Sequence, residues 1–117
     1  MYQITKQFHF SAGHHLLGLP EDHPCSRPHG HNYIVEVVLA SPDLDSRSFV
    51  VDYGDLRPLS DFINQTLDHQ DLNKVLDFQT SAENIAFYLY EWCKERWPET
   101  VAVRVSETPK TWAEYRR

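Results

Sequence analysis

Six of the seven histidines in this sequence fall between His9 and His31. Two of them form His29-Gly30-His31. On a β-strand, residues two apart project to one face, so both imidazoles can reach a single ion. His14 closes an alternating segment in which Phe8, Phe10 and Ala12 share its parity, while His15 takes the opposite one. An antiparallel pairing of the two strands would bring the end of the first beside the start of the second, and with it His14 beside His29 and His31. Three neutral imidazoles with a further coordination position left for substrate make the ligand set of a catalytic zinc; two histidines on a strand surface would be the plain alternative.

Three other groups have the chemistry of proton transfer or recognition. Cys25 precedes His29 by four residues in a loop, where a nearby cation would favour the thiolate. It reads as a general base, as a fourth metal ligand closing a structural site, or as an inert loop thiol. Asp68-His69 follows a helical pattern. The pair is either a solvated helix end or a carboxylate orienting an imidazole for proton relay. Glu107 has the parity of Val101, Val103 and Val105, so it either points inward with the valines or marks the solvated end of the strand. An inward carboxylate needs partners. A ligand with two adjacent N–H donors would supply a parallel pairing.

The elements that must position these groups are legible in the periodicity. Tyr2 to His14 alternates as a strand, a loop rich in Pro, Gly and charge runs from His15 to Pro28, and a second strand carries Tyr33, Val35, Val37 and Leu39 inward against Asn32, Glu36 and Val38 outward. Ser41-Pro42-Asp43 ends it. A short apolar run, Phe49 to Asp52, follows. Asp55 is the expected cap of a helix with Pro58 in its first turn and Leu56, Leu59, Ile63 and Leu67 on one face. Thr80-Ser81-Ala82-Glu83 has the form of a capping box. The helix it opens turns Ile85, Ala86, Leu89, Trp92 and Cys93 inward and stops before Pro98, which makes Cys93 a core residue. Strands at Val101 to Val105 and Thr111 to Arg116 flank the Thr108-Pro109-Lys110 turn. The order ββααββ predicts an α+β domain, an antiparallel sheet with two helices on one face.

At 117 residues the chain is expected to be one domain, residues 1–117, and small enough that self-association would add useful burial. A hydrophobic content of 41% and a charged content of 24% exclude a disordered or fibrous chain. The net charge of −6 argues against nucleic acid as a partner. No apolar run reaches the length of a membrane span, and Met1 to Lys6 lacks the apolar stretch of a signal peptide. With only two cysteines, Cys25 and Cys93, a reducing, cytoplasmic location is expected.

Taken in order, Phe10-Ser11-Ala12-Gly13-His14, Cys25-x3-His29-Gly30-His31-Asn32-Tyr33, Val51-Asp52-Tyr53, Leu67-Asp68-His69-Gln70-Asp71-Leu72-Asn73, Ala82-Glu83-Asn84 and Val105-Ser106-Glu107-Thr108 resemble the motifs of the 6-pyruvoyl-tetrahydropterin synthase family. The resemblance spans essentially the whole chain. It implies the tunnelling fold, in which subunits join their sheets into a barrel, as in a hexamer of two trimers, with active sites between subunits. It implies zinc on His14, His29 and His31, Cys25 as base with Asp68 and His69 in proton transfer, and Glu107 as the pterin anchor. Three residues between the cysteine and His29 resemble the branch that converts 7,8-dihydroneopterin triphosphate to 6-carboxy-5,6,7,8-tetrahydropterin for 7-deazaguanine and queuosine synthesis. Alternatives are triphosphate elimination to 6-pyruvoyl-tetrahydropterin, cleavage to a 6-hydroxymethyl pterin, or a zinc- and pterin-binding module without turnover. Three positions depart from the resemblance: His15 stands where Arg is typical, Gly13 where Ala is usual, and Thr80-Ser81 where Pro-Thr or Pro-Ser is usual. The first bears on phosphate handling; the last is expected to be structural, with Thr80 as the cap.

Overall fold

The structure, a computed structural model, describes all residues from Met1 to Arg117. Four strands, β1 (Tyr2–His14), β2 (His29–Ser41), β3 (Thr100–Thr108) and β4 (Thr111–Arg116), form one antiparallel sheet in the order β1-β2-β3-β4. Helices α1 (Arg57–Thr66), α2 (Leu72–Val75) and α3 (Ala82–Arg96) come between β2 and β3. The expected ββααββ order holds, with the four-residue α2 as an addition too short to show a helical period.

Alternation decides which face is buried. Tyr33, Val35, Val37 and Leu39 of β2 are fully buried against Leu59 and Ile63 of α1 and Ile85, Ala86, Leu89 and Cys93 of α3. Each such aliphatic side chain contributes about 1.5–3 kcal/mol on leaving water. Phe10 stacks on Tyr33 with centroids 4.6 Å apart and planes 6° from parallel. Burial pushes the Cys93 thiol up to about 12, so it stays a neutral core residue.

Glu36 and Val38 lie on the outward face as expected, yet are only 9% and 6% exposed. Long side chains lie over that face: Gln7 Nε2 donates to Glu36 Oε2 at 2.5 Å, and Arg104 Nη1 donates to Glu36 Oε1 at 2.6 Å. Two local expectations, both of helix caps, need correction. Asp55 caps nothing. The chain already winds into a 3₁₀ turn at Tyr53–Leu56, capped by Asp52 through Gly54 N–H, and this turn runs directly into α1. Thr80 is likewise not the cap of α3. Ser81 takes that role, accepting from Asn84 N–H at 3.2 Å, because the carbonyl and hydroxyl of the fully buried Thr80 both meet His14.

The strand register sets the site. Ala12 pairs with His31 and His14 with His29, so the histidines converge at the end of the β1–β2 ladder. Beyond α1, the chain runs along the outer edge of β1: His69 N–H donates to Ser11 C=O at 2.6 Å and Gly13 N–H to Gln70 C=O at 3.0 Å, with a parallel bridge between Gly13 and Asp71. The outer edge of β1 is thus covered at its C-terminal end by the segment that carries Asp68 and His69. No helix is long and apolar enough to cross a membrane.

Candidate metal centre and pterin cleft

One ring nitrogen from each of His14, His29 and His31 lies within 4.8 Å of the others. The second nitrogens explain why. His14 Nδ1–H donates to Thr80 C=O at 2.8 Å, with Thr80 Oγ1 3.1 Å away, and His29 Nδ1–H donates to Arg27 C=O at 2.7 Å. A carbonyl can only accept, so these bonds fix the Nδ1–H tautomer and leave each Nε2 with a lone pair. Nε2 of His14 and Nε2 of His31 are buried with no hydrogen-bond partner. For His14, whose tautomer is fixed, the orphaned acceptor costs about 1–3 kcal/mol, a cost that coordination removes. The donor set therefore fits a divalent ion of zinc type. Burial, more than the neighbouring imidazoles, holds the pKa values of His14 and His31 below the usual histidine range, which favours the neutral, ligating form.

Glu107 faces the same cluster. Its Oε2 stands 3.3 Å from His31 Nε2 and 4.0 Å from His14 Nε2. It lines a cleft of about 680 Å³ together with His31, Tyr33, Asp68 and Ser106. Tyr33, which the sequence reading used only as a core residue, has a buried hydroxyl without a partner. Burial, and then the Glu107 charge, raise its pKa, so the phenol remains a neutral donor. The inward parity of Tyr33 next to His31 was the available signal.

Asp68 and His69 form a pair beyond the C-terminus of α1. His69 Nδ1 lies 2.9 Å from Asp68 Oδ2, and Ser11 N–H donates to Asp68 Oδ1 at 2.9 Å. That backbone bond, then His69, hold the Asp68 carboxyl below the usual carboxylate range. His69 adopts φ 58°, a left-handed conformation uncommon for a residue with a Cβ, and its side chain is 82% exposed.

Cys25 lies in a 3₁₀ turn, Pro24–Ser26, and is half-buried. Its Sγ is not among the clustered ligand atoms, so the structure does not assemble a closed four-ligand site. The main chain holds it: Cys25 N–H donates to His23 Nδ1 at 3.0 Å and Leu16 N–H to Cys25 C=O at 2.7 Å. Within one chain, then, the structure gathers His14, His29, His31 and Glu107, sets Asp68 on the same cleft with His69 beside it, and leaves Cys25 and His15 outside the cluster.

The family model described as 6-pyruvoyl tetrahydropterin synthase matches residues 3–117. The chain belongs to this family. Relatives and solved structures agree. A provisionally named 6-carboxy-5,6,7,8-tetrahydropterin synthase from Archaeoglobus fulgidus is 34% identical over 108 residues, covering 92% of this chain and 90% of that protein. The 6-carboxy-5,6,7,8-tetrahydropterin synthase of Bacillus subtilis is 31% identical, covering 98% and 85%. The 6-pyruvoyl tetrahydropterin synthase structure from Caenorhabditis elegans superposes with a TM-score of 0.87 at 26% identity, covering 99% of this chain and 95% of that one. The expected tunnelling fold of the subunit is therefore established.

Proposed function

We propose that this chain is a zinc-dependent carbon–carbon lyase that converts 7,8-dihydroneopterin triphosphate and one water molecule to 6-carboxy-5,6,7,8-tetrahydropterin, acetaldehyde and triphosphate, in 7-deazaguanine and queuosine synthesis in the cytoplasm. The observation that carries the reading is the convergence of three histidine nitrogens, two of them buried and unpartnered, on a cleft edged by Glu107. The relatives named 6-carboxy-5,6,7,8-tetrahydropterin synthase support the choice of product.

His14, His29 and His31 would hold the metal through Nε2, with Thr80 and Arg27 carbonyls fixing two of the rings. Zinc, when bound, supplies the Lewis acidity that lowers the pKa of the substrate's side-chain hydroxyls. Glu107 accepts the paired N–H donors of the pterin ring. Its closeness to His31 supports an anchor at the histidine end of the cleft. Cys25 removes a proton to begin tautomerisation of the dihydropterin, and His69, oriented by Asp68, relays protons as the side chain is cleaved.

Cys25 Sγ makes no hydrogen bond to the Asp68–His69 pair of its own chain, which suits an assembly in which one copy supplies the base and its neighbour the relay. The outer edge of β4 and the start of β1 are free to join sheets of neighbouring copies into a barrel, in a homo-oligomer such as two trimers. Incubation with 7,8-dihydroneopterin triphosphate and mass spectrometry of the products tests the reading. A carboxy pterin with acetaldehyde is expected. A pyruvoyl or hydroxymethyl pterin would move the chain to a sister activity, and zinc binding without any product would make it a binding module.

A further inference from the structure

The segment along the edge of β1 does not stop where the strand does. After His69 and Gln70 pair with Ser11 and Gly13 through the backbone, two side-chain amides continue the ladder. Asn73 Oδ1 accepts from His15 N–H and Asn73 Nδ2 donates to His15 C=O, both at 2.9 Å. Two residues further on, Gln79 Oε1 accepts from Leu17 N–H at 2.9 Å and Gln79 Nε2 donates to Leu17 C=O at 2.8 Å. Each amide thus grips one residue as an antiparallel strand partner would. Both grips are themselves braced: Asp71 Oδ1 accepts from Asn73 N–H at 3.1 Å, and Asn84 Nδ2 donates to Gln79 C=O at 2.9 Å.

The residue between the gripped pair is Leu16, whose N–H donates to Cys25 C=O at 2.7 Å. That bond closes the loop in which Cys25 sits, and the Cys25 thiol has no hydrogen bond of its own to hold it. We propose that Asn73 and Gln79 are positioning residues for Cys25, their amides locking His15 to Leu17 so that Leu16 fixes the loop carrying the thiol. This rests on the reading of Cys25 as the base. The same edge segment carries Asp68 and His69, so one stretch of chain sets both the relay pair and the loop of the base. Main-chain clamping also explains why residue 15 need not be Arg for the loop to be held, since Asn73 reads only the backbone at that position.

The test is the rate of iodoacetamide alkylation of the zinc-loaded full chain, mapped by mass spectrometry, with buried Cys93 as an internal reference. In Asn73→Ala and Gln79→Ala, Cys25 should react about five- to thirtyfold faster as the loop is released, with Cys93 still protected and zinc retained. Asn73→Asp and Gln79→Glu keep the acceptor and lose the donor, so their rates should fall between wild type and the alanine variants. Turnover should fall in kcat with KM little changed. Cys25 rates within about twofold of wild type in all four variants would overturn the proposal, as would Cys93 reacting in step with Cys25. The reading of Cys25 as base fails separately, if Cys25→Ala keeps turnover.

Discussion

Thr80 and His14 are 66 residues apart in the chain and meet at 2.8 Å, the imidazole Nδ1–H donating to the threonine carbonyl with the hydroxyl at 3.1 Å. A loop residue ahead of α3 therefore decides which nitrogen of a β1 histidine faces the histidine cluster. Thr80→Val keeps the carbonyl and the shape and removes the hydroxyl. Zinc affinity, measured by chelator competition, should weaken by about tenfold, the low end for loss of a partner behind a metal ligand. Unchanged affinity would mean that the carbonyl alone orients the ring.

How Thr80 was misread shows where sequence reasoning reaches its limit. Alternation places the strands and their inward faces, because a strand with one buried face must obey a period of two. Tyr2–His14 and Thr111–Arg116 are found as expected for that reason. The Thr-x-x-Glu spacing at Thr80 looked like a cap because a capping box and a buried threonine preceding a serine cap share a local pattern. Only a contact 66 residues away separates them. The outward parity of Glu36 is right, but its cover by Gln7 and Arg104 depends on three strands at once and could not be read from one. The run along the edge of β1 was invisible, since Asn73 and Gln79 pair with backbone and leave no periodicity.

The cluster contains His14 and excludes His15, whose backbone is held by Asn73. His14→Ala should abolish stoichiometric zinc, because two imidazoles rarely hold the ion against chelators, while His15→Ala should retain about one zinc per chain. Metal analysis of the two purified variants checks this, and the reverse result would remove His14 from the ligand set.

Acid should destabilise the metal-free protein in a defined window. Burial lowers the pKa values of His14 and His31 below the ordinary 6.5. Below that value the unfolded chain therefore binds protons that the folded chain resists, and stability falls as pH falls. Thermal denaturation of chelator-treated protein should show a melting temperature that is flat above about pH 7 and drops from about pH 6.5 downward, by less in a His14→Gln variant. An unchanged slope in that variant would assign the acid sensitivity elsewhere.

Cys25 lies outside the cluster of ligand atoms, so Cys25→Ala should keep its zinc and melting temperature and lose turnover by about 100-fold or more, the scale of a general base. Zinc analysis beside a product assay checks both halves. Loss of metal together with activity would place the thiol on the ion after all.

Glu107 combines two demands on one carboxylate. Oε2 stands 3.3 Å from His31 Nε2, while the side chain lines the cleft that would take the ring. A carboxylate that accepts two ring N–H groups stabilises the complex, and the same carboxylate left facing a ligand without those donors retains its desolvation cost, so the site should discriminate against such ligands. Glu107→Gln preserves shape, removes the charge and turns one acceptor into an NH₂ that confronts a ring donor. Binding of a pterin such as sepiapterin or biopterin, followed by calorimetric titration of the zinc-loaded protein, should weaken by about 2–4 kcal/mol, roughly 30- to 1000-fold. Zinc should still be bound at stoichiometry, because three imidazoles suffice to hold it, although loss of a negative charge beside His31 should speed its removal by chelators. Equal pterin affinity in wild type and variant would confine Glu107 to the histidine cluster and leave the ring to another acceptor of the cleft.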